Sequence, residues 1–598
     1  MPPGAPSSLG PLEPIRVWAV TDEGVLAATG FSDGVLRCGD LELEVTHSPL
    51  GNGTRVDVLL RNPGSHSIRV HALHIGLAGP AAEQVLEHGW QSWSTVRRTT
   101  PTGTRPDRDR IAMRFVIDMH LADPAMAASR VRGDQFLLST DGVVGFLDAK
   151  RNLGVIDAGD DINGPSAIVL LDGVVLHPER ERRVDPLWLA AGDPGTLYSE
   201  YVEHWASVAG ARVPAGPMPL GWCHWYDFFA WAHPQDLFDN LALAAQHKLD
   251  LFQIDDAYQR AIGDWLNVSY EFDEALGDEG MARYAREATA AGMQAGIWTA
   301  PFVAADTGRL LSENPDFAVT TEHGAPLRAL FNPLWGSDPI ALDTTHPGVI
   351  DFLHTTFSAL REQGFTYHKT DFLFAGALAG VRHDPTRTRA EALHAGLVAV
   401  REGLGDDAFL LGCGCPLGPA VGLVDAMRVS CDTAPKWAPA DDRPGLIETT
   451  PSTRTALEAS VLRAPMHRRL WINDPDCLLL RETDTGLSER ERELAAVGII
   501  GSGGFVVLSD DLRRYGDHQW ATVDRVRSLA READTVLDIV DPFSDVVTVE
   551  GRSLRLEIDW RDEASSLLPN DGELVWDVDG AGPQARLTRR AGTSGTTS

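Results

Sequence analysis

Carboxylates, tryptophans and one lysine follow short apolar runs through the middle of this 598-residue chain. The run Gly364-Phe365-Thr366-Tyr367-His368-Lys369-Thr370-Asp371-Phe372 shows the pattern most plainly. Alternate side chains of a β-strand share a face, so Lys369 and Asp371 are expected on one side, towards a packed interior. A carboxylate and an ammonium are costly to bury without partners, so the pair reads as a structural ion pair or a reactive centre. Asp255-Asp256, Asp432, Asp474, Asp476 and Asp510-Asp511 follow other runs, as do Trp222, His224, Trp298, Cys413 and Cys415. Tryptophan faces stack on sugar rings, carboxylates accept hydrogen bonds from hydroxyls, and glycoside hydrolysis usually takes two carboxyl groups. The rival is a zinc site drawn from Cys413, Cys415, Cys431, Cys477 and His224. C-x-C is poor zinc spacing, H-E-x-x-H is absent, and free cysteines as small packing residues explain the same facts. No metal or cofactor is expected. No serine stands in G-x-S-x-G, which weakens an esterase reading.

These residues need elements to bring them together. Eight apolar runs alternate with helical patterns: 219–224, 249–254, 294–299, 365–371, 409–413, 426–430, 469–473 and 505–509. Eight β-then-α units over about 300 residues are what a (β/α)8 TIM barrel requires, and catalysis there belongs at the C-terminal strand ends. Helical patterns fall over 279–291, 387–402 and 454–464, and another precedes 365–371, with Pro347 at its start and Gly364 as its stop. The chain before residue 195 has short alternating runs broken by turn residues, as an N-terminal β-sandwich would. The expected organisation is a β-sandwich over 1–195, a helical linker over 196–215, the barrel over 216–524, a small C-terminal β domain over 525–580 and a disordered tail over 581–598. One polar loop is atypical: Glu87-His88-Gly89-Trp90-Gln91-Ser92-Trp93-Ser94, whose two tryptophans are either a core anchor or a stacking surface.

Composition narrows the partners. A net charge of −33 opposes binding to nucleic acid or to an anionic membrane. The chain has four lysines, and Lys369 and Lys436 both lie within four residues of Asp371 or Asp432. Six cysteines without a C-x-x-C pair speak against a disulfide framework. The first residues lack a basic and an apolar signal region, and no stretch approaches 18 apolar residues, so a soluble, cytoplasmic protein is expected.

Seven motifs in order, from about Glu87 to Asp511, resemble the α-galactosidases of glycoside hydrolase family 36. They are His88-Gly89-Trp90-Gln91-Ser92-Trp93-Ser94, Gly221-Trp222, Ile254-Asp255-Asp256, Gly296-Ile297-Trp298, Lys369-Thr370-Asp371, Met427-Arg428-Val429-Ser430-Cys431-Asp432 and Asn473-Asp474-Pro475-Asp476. The resemblance implies a metal-free retaining mechanism with Asp371 as nucleophile and Asp432 as acid and then base. It implies substrate contacts for Asp255, Asp256, Lys369, Trp298, Cys413, Trp222, Arg428 and Trp90, with Lys369 also keeping Asp371 ionised. The expected substrate is a small or oligosaccharide α-galactoside. An α-N-acetylgalactosaminidase, a galactosyl transferase and a non-catalytic carbohydrate-binding protein are the alternatives. Tetramers are frequent in the family, which leaves a homo-oligomer open. The chain departs from well-known members at Thr299-Ala300-Pro301-Phe302, at Gly412-Cys413-Gly414-Cys415-Pro416 and at the spacing of Ser430-Cys431-Asp432.

Overall fold

A computed structural model describes residues 16–32, 35–77, 82–94, 96–101, 131–159, 165–330, 332–439, 451–562, 567 and 572–590. Two antiparallel sheets build the first part of the chain. One runs in the order Arg132–Asp134, Leu153–Asp157, Ser166–Leu176, Ile68–Gly76, Arg16–Thr21, Gly24–Ala27. The other centres on Leu41–Leu50, Gly53–Asn62, Leu187–Ala191, Gly142–Phe146 and Phe136–Ser139. Alternation delivers Val17, Val70 and Val169 from one and Leu43, Val58 and Leu187 from the other into a shared core.

The expected linker begins two residues earlier than 196 and is a buried element. Pro194–Ala209 is a helix started by Asp193, whose carboxylate accepts from Thr196 N at 2.9 Å, and stopped at Gly210 with φ +69°. Tyr201 lies 4.9 Å from Phe136 of the sandwich, and Trp205 lies 6.3 Å from Trp471. The helix therefore packs between a sandwich strand and the central part of the chain, within one core. Its tyrosines and tryptophan, not a turn signal, decide where it sits.

Nine parallel strands form the central sheet: β1 (Leu220–Cys223), β2 (Leu251–Ile254), β3 (Gln294–Thr299), β4 (Tyr367–Thr370), β5 (Phe409–Gly412), β6 (Ala426–Arg428), β7 (Ile472–Asp474), β8 (Cys477–Leu478) and β9 (Val506–Leu508). Their order is β7-β6-β5-β4-β3-β2-β1-β9-β8. The two outermost strands, β7 and β8, are separated only by Pro475 and Asp476, so the sheet curls until its edges are joined by two residues. Asp476 turns the chain there with φ +78°. Seven of the eight apolar runs contain a strand, and the run at 469–473 holds the first two residues of β7, with β8 following after a break.

The helix Pro347–Glu362 starts at His346 with Pro347 in its first turn, and Gly364 follows with φ +101°. Thr388 and Glu391 form a reciprocal cap on Arg389–Leu404. The helix Asp517–Ala533 runs through the expected boundary at 524, because Val523, Val526 and Leu529 keep its apolar face buried. A five-stranded antiparallel sheet follows. Its strand Gln584–Arg589 pairs with both Leu554–Asp559 and Glu573–Val578, so order extends beyond the tail start expected at 581. Residues 591–598 lie outside the described residues. Among the described residues, no helix is long and apolar enough to cross a membrane.

Candidate active site

The C-terminal ends of the central strands carry the charged groups: Asp255 and Asp256 follow β2, Asp371 follows β4 and Asp432 lies four residues after β6. Asp371 follows β4 and is 6 % exposed. Trp298 Nε1–H donates to its Oδ2 at 3.1 Å and Phe372 N–H to its Oδ1 at 2.7 Å. Phe372 has φ +52°, a conformation a bulky L-residue adopts only when its surroundings hold it there. Its ring meets Trp93 at 5.1 Å and Trp335 at 5.0 Å, both edge-to-face.

Lys369 shares the inward face, as strand alternation requires, but its ion-pair partner is Asp255. Nζ donates to Asp255 Oδ2 at 3.0 Å. Of the two readings of Lys369 and Asp371, the direct ion pair is not the one formed; Asp371 acts on the lysine as a charge beyond ion-pair distance. Burial opposes the ammonium, yet Asp255 raises the lysine well above its ordinary value. Asp255 also accepts from Gln253 Nε2 at 2.6 Å. Burial pushes its carboxyl up, but Lys369 and then His224 win, and it is lowered overall. Neighbouring Asp256 has no cation. It accepts from Trp335 Nε1 at 2.7 Å and Gln259 Nε2 at 2.5 Å, and burial, helped by Asp255 and Asp371, pushes it up to about 6. His224 ties the two together: its Nδ1 accepts from Asp255 N at 3.1 Å, and its Nε2–H donates to Asp256 O at 3.2 Å.

A second ion cluster surrounds Arg428, at the end of β6. Its Nε reaches Asp474 at 3.1 Å, Nη2 reaches Asp476 at 2.7 Å and Nη1 reaches Asp432 at 3.2 Å. Tyr226 O–H donates to Asp476, and Thr433 N–H donates to the same oxygen at 2.8 Å. Asp432 is the accessible member, with 36 % of its side chain exposed against 6 % for Asp474 and 0 % for Asp476. Burial first and then Asp476 raise it to about 7, outweighing Arg428. A carboxyl group that stays protonated near neutrality can donate a proton to a leaving group.

No protein-family model matches the chain. The α-galactosidase TtGalA of Thermus thermophilus, in complex with p-nitrophenyl α-D-galactopyranoside, aligns at 25% identity over 85% of this chain and 95% of its own, with TM-score 0.65. The chain is α-galactosidase-like. At 13% identity the likeness is one of fold, as for the family 36 α-galactosidase AgaA of Geobacillus stearothermophilus (96% and 89% covered, TM-score 0.64). The galactosidase domain of the α-galactosidase–sucrose kinase AgaSK matches similarly (13% identity, 96% and 88% covered, TM-score 0.65).

In this α-galactosidase-like frame the expected residues divide into two groups. Asp255, Asp256, Lys369, Trp298, Asp371, Arg428 and Asp432 come together. Cys413 is fully buried beyond β5, and its thiol is raised by burial and then by Asp371, which places it beside that carboxylate. Arg428 is held by three carboxylates, Asp474, Asp476 and Asp432. Trp222 and Trp90 sit elsewhere. Trp222 stacks on Phe252 at 4.8 Å and donates to Asp510 O at 2.9 Å, packing the sheet. Trp90 lines a small interior cavity with Gln135, Val155 and Pro419, and its neighbour Trp93 is the one beside Phe372. Sequence reading missed Trp335, which lies in a long excursion between β3 and β4 without periodicity. It missed Gln253 as a ligand of Asp255, although strand alternation with Asp255 could have found it.

Proposed function

We propose that the chain is a retaining glycoside hydrolase that releases terminal α-linked galactose through a covalent glycosyl-aspartate. The central sheet acts as a (β/α)8 barrel whose strand ends present one pocket. Asp371 attacks the anomeric carbon as the glycosidic bond breaks, and Asp432 donates its proton to the departing oxygen. Asp432, now ionised, then takes a proton from water as water attacks the sugar and frees Asp371. Asp256 and Lys369 are the groups that meet sugar hydroxyls, and Asp255 anchors the lysine. Trp298 fixes Asp371 by its indole N–H instead of stacking on the sugar.

The observation that carries this reading is the contrast between Asp371 and Asp432: one buried carboxylate held by two N–H donors, and one accessible carboxyl raised to about 7. The solved α-galactosidases with the same fold support the choice of sugar. A panel of aryl α-galactoside, α-N-acetylgalactosaminide, α-glucoside and β-L-arabinopyranoside tests that choice, with fastest turnover expected for the α-galactoside. Asp371→Ala is expected to lose turnover, and azide to restore it with a β-galactosyl azide as product. Unchanged hydrolysis in that variant would sink the mechanism.

A further inference from the structure

Arg463 is fully buried, and among the described residues no carboxylate forms an ion pair with it. Burying an uncompensated guanidinium is costly unless its N–H groups are satisfied. Here they are. Nη1 donates to Ser92 O and Val429 O, both at 2.7 Å. Nη2 donates to Ser94 O at 3.2 Å, Gln91 O at 3.3 Å and Gly89 O at 3.4 Å. Nε donates to His88 Nε2 at 3.1 Å. The imidazole accepts there, and its Nδ1–H donates to Asp134 O at 3.3 Å. Burial, then the Arg463 charge, lowers His88 well below its ordinary value, which keeps the ring neutral for this role. The main chain joins in: Arg463 O accepts from Asn473 Nδ2 at 2.9 Å.

Three motifs thus converge on a residue that belongs to none of them. The loop 88–94 wraps the guanidinium with four carbonyls and an imidazole. Val429, three residues before Asp432, supplies a fifth carbonyl. Asn473 opens the Asn-Asp-Pro-Asp segment whose aspartates hold Arg428. From the same loop, Trp93 packs on Phe372, whose N–H donates to Asp371.

We propose that Arg463 is a positioning residue for both carboxylates, fixing Trp93 against Phe372 beside Asp371 and the segment after β6 that ends in Asp432. This rests on the roles given to Asp371 and Asp432 above. It gives the N-terminal sandwich a part in the chemistry: its loop completes the site only when clamped by a barrel arginine. The clamp needs all five N–H groups in a plane, which lysine cannot supply.

The test is Arg463→Lys, assayed with p-nitrophenyl α-galactoside and with raffinose. Displacing reacting groups by about 1 Å costs about 10²-fold, so kcat should fall on that scale while KM moves by less than about threefold. The fall should be larger for raffinose, whose sugar leaving group depends more on proton donation by Asp432. A folded variant with full kcat on both substrates and only a lower Tm overturns the proposal. If that variant does not fold, His88→Gln and His88→Leu decide. His88→Gln keeps an acceptor for Nε and should retain kcat, while His88→Leu should lose about tenfold. Equal kcat in the two overturns the proposal. A wild-type chain that cleaves no α-galactoside removes the functional reading and this inference with it, whereas an active wild type with an equally active Arg463→Lys removes the inference alone.

Discussion

Two buried cations stand at the ends of central strands, and each has a neighbouring carboxylate shifted in the opposite direction from the other's. Lys369 meets one nearby carboxylate, Asp255, and lowers it despite full burial. Arg428 meets three, Asp474, Asp476 and Asp432, and the most accessible of these is raised to about 7. A cation within hydrogen-bonding distance is common to both. Charge count separates them: one positive charge stabilises one carboxylate but not three in the same low-dielectric volume. The same residue types thus yield a lowered carboxyl beside Lys369 and a raised one beside Arg428.

The sharpest way to break the first cluster is Lys369→Met. Removing one partner of a buried pair costs about 3–5 kcal/mol, which urea unfolding would register, and loss of an ammonium from the pocket should lower kcat/KM by more than tenfold. The pH dependence has a definite sign. Asp255 is lowered in the fold, so its pairing adds stability above the ordinary carboxyl range, and that stability is lost as pH falls through its folded value. The gap between variant and wild type should therefore be full at pH 7 and shrink in acid. A gap constant from pH 7 to pH 3 would contradict the pairing.

Asp476→Asn probes the second cluster by removing one of three negative charges. Wild-type kcat/KM should fall above pH of about 7, as Asp432 loses its proton. In the variant, that alkaline limb should move to lower pH by about one unit. A shift to higher pH would show that Asp476 does not raise Asp432.

The smallest effect is on stability. Asp432 has a folded value of about 7 against an ordinary value of 3.8, so its ionisation opposes folding. That penalty is absent below the unfolded value, grows between the two and is complete above the folded one. Asp432→Asn should therefore raise Tm by a few degrees at pH 8 and leave it unchanged at pH 3.5, with activity lost at both. Equal Tm changes at the two pH values would contradict the assignment.

Much of this was legible in the sequence because strand periodicity is local. Lys369 and Asp371 share a face as alternation demands, and seven of the eight apolar runs contain a strand. Pro347 and Gly364 bound their helix as residue chemistry dictates. The pairing of Lys369 with Asp255 was not legible, since it depends on β3 standing between β2 and β4 while the lysine side chain reaches across. Trp90 and Trp93 are three residues apart in one loop, and only tertiary packing distinguishes which of them reaches Phe372. The Asp517–Ala533 helix hid its place because no turn signal separates the central unit from the last sheet. Its apolar face carries that information only once the core is built.

In the proposed mechanism Asp371 becomes covalently glycosylated. A fluorinated α-galactosyl fluoride, which forms the glycosyl-enzyme faster than water releases it, allows a direct measurement by intact mass and peptide mapping. One fluorosugar per chain is expected, on the peptide containing Asp371, with no label in Asp371→Ala. Label on another carboxylate, or inactivation of Asp371→Ala at the wild-type rate, would contradict it.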